Sequence, residues 1–147
     1  RAELDAVVRA LTGLAHGLHP PALETDGLAV ALHALAARSA VPVTLSVDGL
    51  PALSNPVAST AWFIASEALT NVAKHAGAGR ADIRAGIRDG SLLLEVTDDG
   101  RGGADPSAGT GLQGLRDRVD AMGGTVRLSS PAGGGTRLTA ILPVATP

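Results

Sequence analysis

Apolar residues recur along this chain with two different periods, and the changes between them separate predicted helices from predicted strands. Spacings of three and four residues predict helices at 2–18, 26–39, 55–76 and 112–122. Alternation at every second residue predicts strands at 41–49, 80–88, 91–98, 125–130 and 136–143. We therefore expect an α+β fold, a two-layer sandwich in which a mixed, mainly antiparallel sheet carries helices on one face.

Proline and glycine signals set several boundaries of these elements. Asn55 and Pro56 predict an N-cap followed by the first helical residue, and Asp89-Gly90 predicts a two-residue hairpin. The segment 100–111 holds five glycines and one proline, and otherwise no apolar side chain larger than that of alanine. We expect no packed element there, and its composition favours a lid that becomes ordered around a ligand.

Composition narrows the class of protein. The chain has 147 residues, enough for one domain, and 45% of them are hydrophobic. Trp62 and Phe63 are its only aromatic residues and its net charge is −2, so neither base stacking nor a basic surface favours nucleic-acid binding. Cysteine is absent, and no apolar run is long enough to span a bilayer. Because the chain begins with Arg1 rather than Met, we expect it to be a piece of a longer protein.

Glycines at the start of the last predicted helix suggest an anion site. Gly109, Gly111 and Gly114 fit the dinucleotide pattern G-x-G-x-x-G, but a strand directly before it and an acidic residue about 20 positions later are missing. The dinucleotide interpretation therefore fails. A glycine-rich helix N-terminus still offers backbone donors to phosphate, although a plain loop followed by a helix explains the same letters.

Asp98 ends an aliphatic strand, in the stretch "DDGRGG". A buried carboxylate needs a hydrogen-bond donor, and the exocyclic amine of adenine would supply one, whereas guanine would present a repelling carbonyl oxygen. Gly100 and Gly102 would let the backbone pass close to a flat base. An ordinary acidic turn remains the alternative for this stretch alone.

The stretch "EALTNVAKHA" places an acid, an amide and a cation at helical spacing: Glu67, Asn71 and Lys74. Positions i, i+4 and i+7 share one helix face. Either this face is a solvated stripe or it is the wall of a site for a charged ligand, and the helix alone does not decide between them.

Taken in order, "EALTNVAKHA", "DDGRGG", "GTGLQGLRDRV" and "GGGTRLTAILP" resemble the asparagine box, the two glycine boxes and the closing strand of the GHKL ATPases. Within that superfamily the chain resembles bacterial sensor histidine kinases of the class that signals to NarL/LuxR-type response regulators. The resemblance implies a Bergerat-type fold, with residues 1–21 as the end of a dimerisation helix and its connector and 22–147 as the catalytic ATP-binding domain.

The resemblance also implies roles for individual residues. Asn71 would hold Mg²⁺ against the phosphates of ATP, Glu67 would be the general base, and Lys74 and His75 would contact phosphate. The adenine end would involve Asp98, Gly100, Gly102 and Thr136. The lid hinge and phosphate cradle would consist of Gly109, Gly111, Leu112 and Gly114.

The expected partners follow from what the chain lacks. His16, His19 and His33 do not lie in a segment of the phosphate-accepting type, so the acceptor would belong to a dimerisation domain of the same parent kinase. A NarL/LuxR-type response regulator would act downstream. The resemblance implies a cytoplasmic domain, in a parent protein that can be membrane-anchored.

Three alternatives stay open at this point. An anti-sigma-factor serine kinase of the same superfamily would not need the 2–21 segment. Clamp ATPases such as gyrase or MutL should carry a following transducer domain. A regulatory module could hold nucleotide without transferring phosphate.

Overall fold

The computed structural model describes residues 27–47, 49–104 and 110–144, so the predicted helix 2–18 lies outside the described residues. In chain order the elements are α1 (Gly27–Ala37), β1 (Val43–Val47), α2 (Asn55–Asn71) with a π-helical segment (Val72–Ala76), β2 (Ala81–Arg88), β3 (Ser91–Asp98), α3 (Thr110–Ala121), β4 (Thr125–Ser129) and β5 (Thr136–Pro143).

The five strands form one sheet in the order β1-β2-β3-β5-β4. β1 runs parallel to β2, and the other three pairs are antiparallel. The hairpin at Asp89 and Gly90 has positive φ at both residues, as a tight two-residue turn between twisted strands requires. The prediction of a mixed, mainly antiparallel sheet is confirmed.

The helices and the sheet bury one face between them. Along β3, every second residue is buried: Leu92, Leu94, Val96 and Asp98. The largest fully buried side chains are aliphatic: Leu32, Ile64, Ile83, Leu92, Leu94, Leu115, Val119 and Leu142. The other face of the sheet carries polar pairs such as Arg137 and Glu95, whose side chains approach to 4.0 Å. The two-layer sandwich is therefore confirmed as well.

The start of α2 differs from the prediction by one residue. Ser54, with extended backbone angles, is the N-cap, and its carbonyl accepts the N–H of Ala58 at 2.9 Å. Asn55 is thus the first helical residue rather than the cap, and Pro56 lies within the first turn, where its missing N–H costs no helical hydrogen bond.

The end of α2 was also predicted differently. The helical pattern continues to residue 76, but α-helical geometry ends at Asn71 and a π-helical segment covers Val72–Ala76 before Gly77 leaves in the left-handed region. In a π-helix each bond spans five residues instead of four, so the turn is wider and the side chains after Asn71 are rotated relative to an α-helix.

Candidate functional site

Asp98 is the last member of the buried row along β3, and its side chain is only 8% exposed. One carboxylate oxygen accepts the N–H of Gly100 at 2.8 Å. Among the described residues the second oxygen has no further hydrogen-bond partner. A carboxylate at the end of an aliphatic row is costly to bury unless it is hydrogen-bonded, so Asp98 retains capacity for an external donor.

Thr136, the first residue of β5, pairs directly with Asp98 across the antiparallel ladder. Its hydroxyl lies 2.7 Å from the hydroxyl of Ser130, just after β4. Side chains of directly opposed residues lie on the same face of a sheet. The register therefore places a carboxylate and a hydroxyl side by side at one edge of the buried face.

The backbone that follows Asp98 is held against the loop between β4 and β5. Gly103 donates its N–H to the carbonyl of Ser130 at 2.8 Å, and Gly133 donates to the carbonyl of Arg101 at 2.6 Å. Residues 101–104 form no helix or strand, as expected, but these hydrogen bonds hold them in place. The expectation is wrong at the end of the segment, because α3 begins at Thr110. Residues 105–109, including Gly109, lie outside the described residues.

Two glycines make this close approach possible. A Cβ on Gly102, which has φ of +64°, would lie 2.0 Å from the carbonyl oxygen of Pro131. A Cβ on Gly135, at φ of +73°, would lie 2.2 Å from the carbonyl oxygen of Asp98. The structure thus gives Gly102 a packing reason within the protein itself, in addition to the predicted proximity to a base.

Asp99 points away from the core and binds the chain that leaves α2. Its Oδ1 accepts the N–H of Gly79 at 2.8 Å and that of Arg80 at 3.0 Å. These donors, Arg80 first and then Gly79, hold the pKa of the Asp99 carboxyl below its usual value. Because Arg80 leads directly into β2, Asp99 ties the end of α2 to the end of β3.

Glu67 and Asn71 lie four residues apart within α2, on one helix face, and both are half-buried. Lys74 lies in the π-helical segment, is exposed, and lines a cavity of about 470 Å³ with Arg38 and Ser39 at the end of α1. The predicted common face therefore includes Glu67 and Asn71, whereas Lys74 turns toward α1. The side chain of His75 lies outside the described structure.

α3 runs antiparallel to α2. The guanidinium of Arg118 lies 4.1 Å from the ring centre of Phe63, which fixes where the two helices meet. Gly124, just beyond α3, abuts the carbonyl of Ile141, far from the Asp98 edge, so the N-terminus of α3 points toward that edge. In α3, Thr110 lies eight residues before Arg118. In α2, Asn71 lies eight residues after Phe63. Each of these two helix ends is therefore about 12 Å from the Arg118–Phe63 contact.

These directions define a candidate cleft, which is separate from the cavity that Lys74 lines. Its floor would be Asp98 and Thr136, and the Glu67–Asn71 face of α2, which ends toward the same edge of the sheet, would be one wall. The opposite wall is the N-terminal half of α3, where Gly114 has no atom within 4 Å of a Cβ built on it. The N-terminal dipole of α3 and its glycines favour an anion in this cleft. Gly111 lies in the first turn of α3, and the Leu112 side chain is outside the described structure.

Sequence reasoning missed three residues of this arrangement: Asp99, Arg118 and Ser130. Asp99 adjoins a predicted site residue, but only its hydrogen bonds to Gly79 and Arg80 show that it points the other way. Arg118 and Ser130 act through partners 55 and 26 residues away in sequence, Phe63 and Ala104 respectively. No local pattern signals such contacts.

Comparison with known proteins identifies the class of domain. A family profile of histidine kinase-, DNA gyrase B-, and HSP90-like ATPases matches residues 59–146, more than half of the chain. The sensor histidine kinase NarS of Mycobacterium tuberculosis is 36% identical over 160 residues, which cover 89% of this chain and 37% of NarS. The sensor histidine kinase MctS of Rhizobium johnstonii is 30% identical over 151 residues, which cover 95% of this chain and 32% of MctS.

A solved structure shares the fold. The blue-light activated histidine kinase of Erythrobacter litoralis EL346 matches with a TM-score of 0.64 at 25% identity, over 80% of this chain and 39% of that protein. This chain spans about a third of the length of the curated relatives it matches.

The chain belongs to the family of histidine kinase-, DNA gyrase B-, and HSP90-like ATPases. Its curated relatives are sensor histidine kinases, so the resemblance inferred from the motifs is confirmed at this level. Among the described residues, no helix is long and apolar enough to cross a membrane.

The Asp99 contacts predict a pH-dependent contribution to stability. A carboxyl whose pKa is lower in the folded state stabilises the fold above its unfolded pKa, near 4, and that stabilisation disappears as the pH falls through the folded pKa. We expect Asp99→Asn to lower the thermal midpoint at pH 7, because a neutral amide oxygen accepts the two N–H bonds less strongly. The gap from the native protein should narrow below about pH 4.

Thermal unfolding of both proteins between pH 8 and pH 3 measures this gap. Asp82→Asn, on the open face of the sheet, serves as the matched control. A gap that stays constant across the whole pH range would show that the charge of Asp99 contributes nothing through these bonds.

Proposed function

We propose that this chain binds ATP with Mg²⁺ and presents the γ-phosphate for transfer to a histidine on a dimerisation domain of its parent protein. One observation carries the proposal. The buried carboxylate of Asp98 and the hydroxyl of Thr136 lie side by side at the floor of a cleft, whose walls are the Glu67–Asn71 face and the glycine-bearing N-terminus of α3.

The floor of the cleft suits adenine. Asp98 can only accept hydrogen bonds when ionised, and the exocyclic amine of adenine can only donate. A guanine in the same position would bring a carbonyl oxygen against the carboxylate and leave both groups unpaired. Gly100 and Gly102 belong to the backbone that runs past this end of the strand, close to where the base would lie.

The wall formed by α3 suits the phosphates. Backbone N–H groups of its first turn, which includes Gly111, have no acceptor within the helix and carry partial positive charge. Gly114, one turn further on, leaves open space beside the helix. We assign Gly109 and Leu112 to the same cradle, with Lys74 and His75 as further phosphate contacts at the end of α2.

Mg²⁺ would be coordinated by few protein oxygens in this cleft. Among the described residues no three His, Cys, Asp or Glu side chains are grouped so as to hold a metal ion. Mg²⁺ does not require such a cluster, since it commonly binds one or two protein oxygens together with phosphate oxygens and water. The amide oxygen of Asn71, half-buried at the end of α2, would be that protein ligand, and the ion would neutralise charge on the phosphates.

Glu67, one turn before Asn71 on the same face, would act as the general base. A carboxylate there would accept the proton of an attacking nucleophile while the phosphates are held in line. The nucleophile would come from the dimerisation domain. None of the chain's own four histidines, His16, His19, His33 and His75, lies in an acceptor-type segment.

The finer assignments rest on the resemblance of the sequence motifs. We propose a NarL/LuxR-type response regulator as the downstream partner, a cytoplasmic location for this domain, and 22–147 as its extent. An anti-sigma-factor serine kinase remains the second candidate within the superfamily, but the curated relatives favour a histidine kinase.

Replacing Asp98 tests adenine recognition. We expect Asp98→Asn to weaken ATP and ADP alike by about 1–3 kcal/mol, the cost of mismatching a buried hydrogen bond. Calorimetric titration of ATP, ADP and GTP measures this, with Asp82→Asn as the control for loss of a carboxylate elsewhere. Binding of GTP to the native chain as tightly as ATP would refute the assignment of Asp98 to the adenine amine.

Gly114 allows stability and binding to be separated. Ala is favoured over Gly inside a helix by about 1 kcal/mol, and no atom lies in the way of its methyl group, so Gly114→Ala should raise the thermal midpoint. The same methyl group fills the cleft, and ATP binding should weaken by about 1–3 kcal/mol as for other overpacked contacts. Unfolding curves and ATP titrations, with Asp120→Ala at the far end of α3 as the control, measure the two effects. Gly114→Ala with unchanged ATP affinity would place the phosphates elsewhere.

Phosphoryl transfer is tested by adding the dimerisation domain of the parent protein as a separate chain. With ATP present, acid-labile label should appear on the added domain and not on this chain, because transfer needs a nucleophile in line with the γ-phosphate. Glu67→Gln should slow transfer more than it weakens ATP binding. Acid-stable label on serine would support the anti-sigma-factor alternative, and label on this chain that disappears with His16→Ala or His19→Ala would contradict the proposed division of roles.

A further inference from the structure

Ser130 joins the Asp98 edge of the sheet to the backbone that leaves it. Its Oγ accepts the N–H of Ala104 at 2.9 Å and lies 2.7 Å from Oγ1 of Thr136. Its carbonyl oxygen accepts the N–H of Gly103 at 2.8 Å. One residue of the β4–β5 loop therefore contacts both the cross-strand neighbour of Asp98 and the segment that follows Asp98.

The contact with Ala104 leaves the proton of the Ser130 hydroxyl available for donation. Ala104 N–H can only donate, so Ser130 Oγ is the acceptor in that bond and still has its own proton to donate. Either hydroxyl can donate in the 2.7 Å contact between Ser130 and Thr136. When Ser130 donates, the Thr136 proton is free to be donated elsewhere. Asp98, directly opposite Thr136, only accepts. The edge of the sheet then presents an acceptor and a donor side by side.

We propose that Ser130 is a positioning residue of the nucleotide site: it orients the Thr136 hydroxyl as a donor beside Asp98 and fixes residues 103–104 against the same edge. This inference rests on the proposed function. Adenine presents an amine donor next to a ring nitrogen that accepts, so an acceptor–donor pair complements that edge of the base. Ser130 reaches this acceptor–donor pair only through Thr136, so Ser130 need not touch the nucleotide.

The first test measures ADP binding, because ADP lacks the γ-phosphate and so reports mainly on the base end. Ser130→Ala should weaken ADP roughly threefold to tenfold, the usual effect of one lost hydrogen bond. Ser130→Thr, which keeps the hydroxyl, should bind close to the native level. Ser129→Ala, at the neighbouring exposed position on β4, is the matched control and should bind ADP as the native chain does.

The second test is a double-mutant cycle with Thr136→Val. If Ser130 acts by orienting the Thr136 hydroxyl, removing that hydroxyl should abolish most of the effect of Ser130→Ala on ADP affinity. A merely structural role would leave the Ser130→Ala effect undiminished in the Thr136→Val background.

Amide hydrogen exchange without nucleotide provides an internal comparison. In Ser130→Ala the Ala104 amide should exchange faster because its side-chain acceptor is gone, while the Gly103 amide, bonded to the Ser130 backbone carbonyl, should keep its protection. Equal loss at both amides would indicate general loosening of the loop and count against the specific bridge.

The outcomes separate this inference from the proposed function. If the native chain and Ser130→Ala bind ADP equally well, the role of Ser130 is overturned and the proposed function still stands. Native chain that binds neither ADP nor ATP would overturn both. Weakened binding by Ser130→Ala, with Ser130→Thr and Ser129→Ala near native and coupling to Thr136, supports the inference.

Discussion

The burial of one carboxylate, that of Asp98, at the end of an aliphatic strand is the constraint on which the candidate site depends. Asp98 continues the same row as Leu94 and Val96, so it faces the helix layer and not solvent. Its neighbours in the sheet are Ala81 on one side and Thr136 on the other. A shift of β3 or β5 by one residue would turn Asp98 or Thr136 to the open face of the sheet. The strand register therefore determines whether these two side chains lie together.

Asp98 and Asp99 show how the pleat of a strand separates two identical side chains. Asp98 points into the cleft with one oxygen bonded to Gly100, whereas Asp99 points out and is bound by two backbone N–H groups from the chain that enters β2. The contacts of Asp99 with the chain that enters β2 also affect the surroundings of Asp98, because they fix the end of α2 at the edge of the sheet where Asp98 lies. The end of α2, the helix that carries Glu67 and Asn71, is thereby held near the end of β3, which carries the Asp98 carboxylate.

Periodicity was sufficient to predict the sheet and the helix layer, because these follow from which residues must avoid water. The burial of Asp98 was one of two interpretations of its stretch, and the structure supports it. The motifs added Thr136, whose position opposite Asp98 follows from strand pairing. Periodicity could not predict the π-helical segment at Val72–Ala76, since its letters fit an α-helix equally well. Nor could it predict Ser130, whose contact with Ala104 depends on how two loops meet after the sheet has formed.

The glycines of the motifs fall into two physical groups that sequence alone does not distinguish. Gly102 and Gly135 are surrounded by backbone oxygens that a Cβ would meet at 2.0 and 2.2 Å, so the fold itself requires them. Gly114 lies inside a helix, where glycine is less favourable than alanine, and nothing in the described chain occupies the space of its missing side chain. The described protein fold therefore gives no packing reason for glycine at this position, whereas the proposed phosphate contact would give one. This contrast supports the proposed role of the N-terminal half of α3 as a ligand surface, while the Gly102–Gly135 contact shapes the edge on which the base would lie.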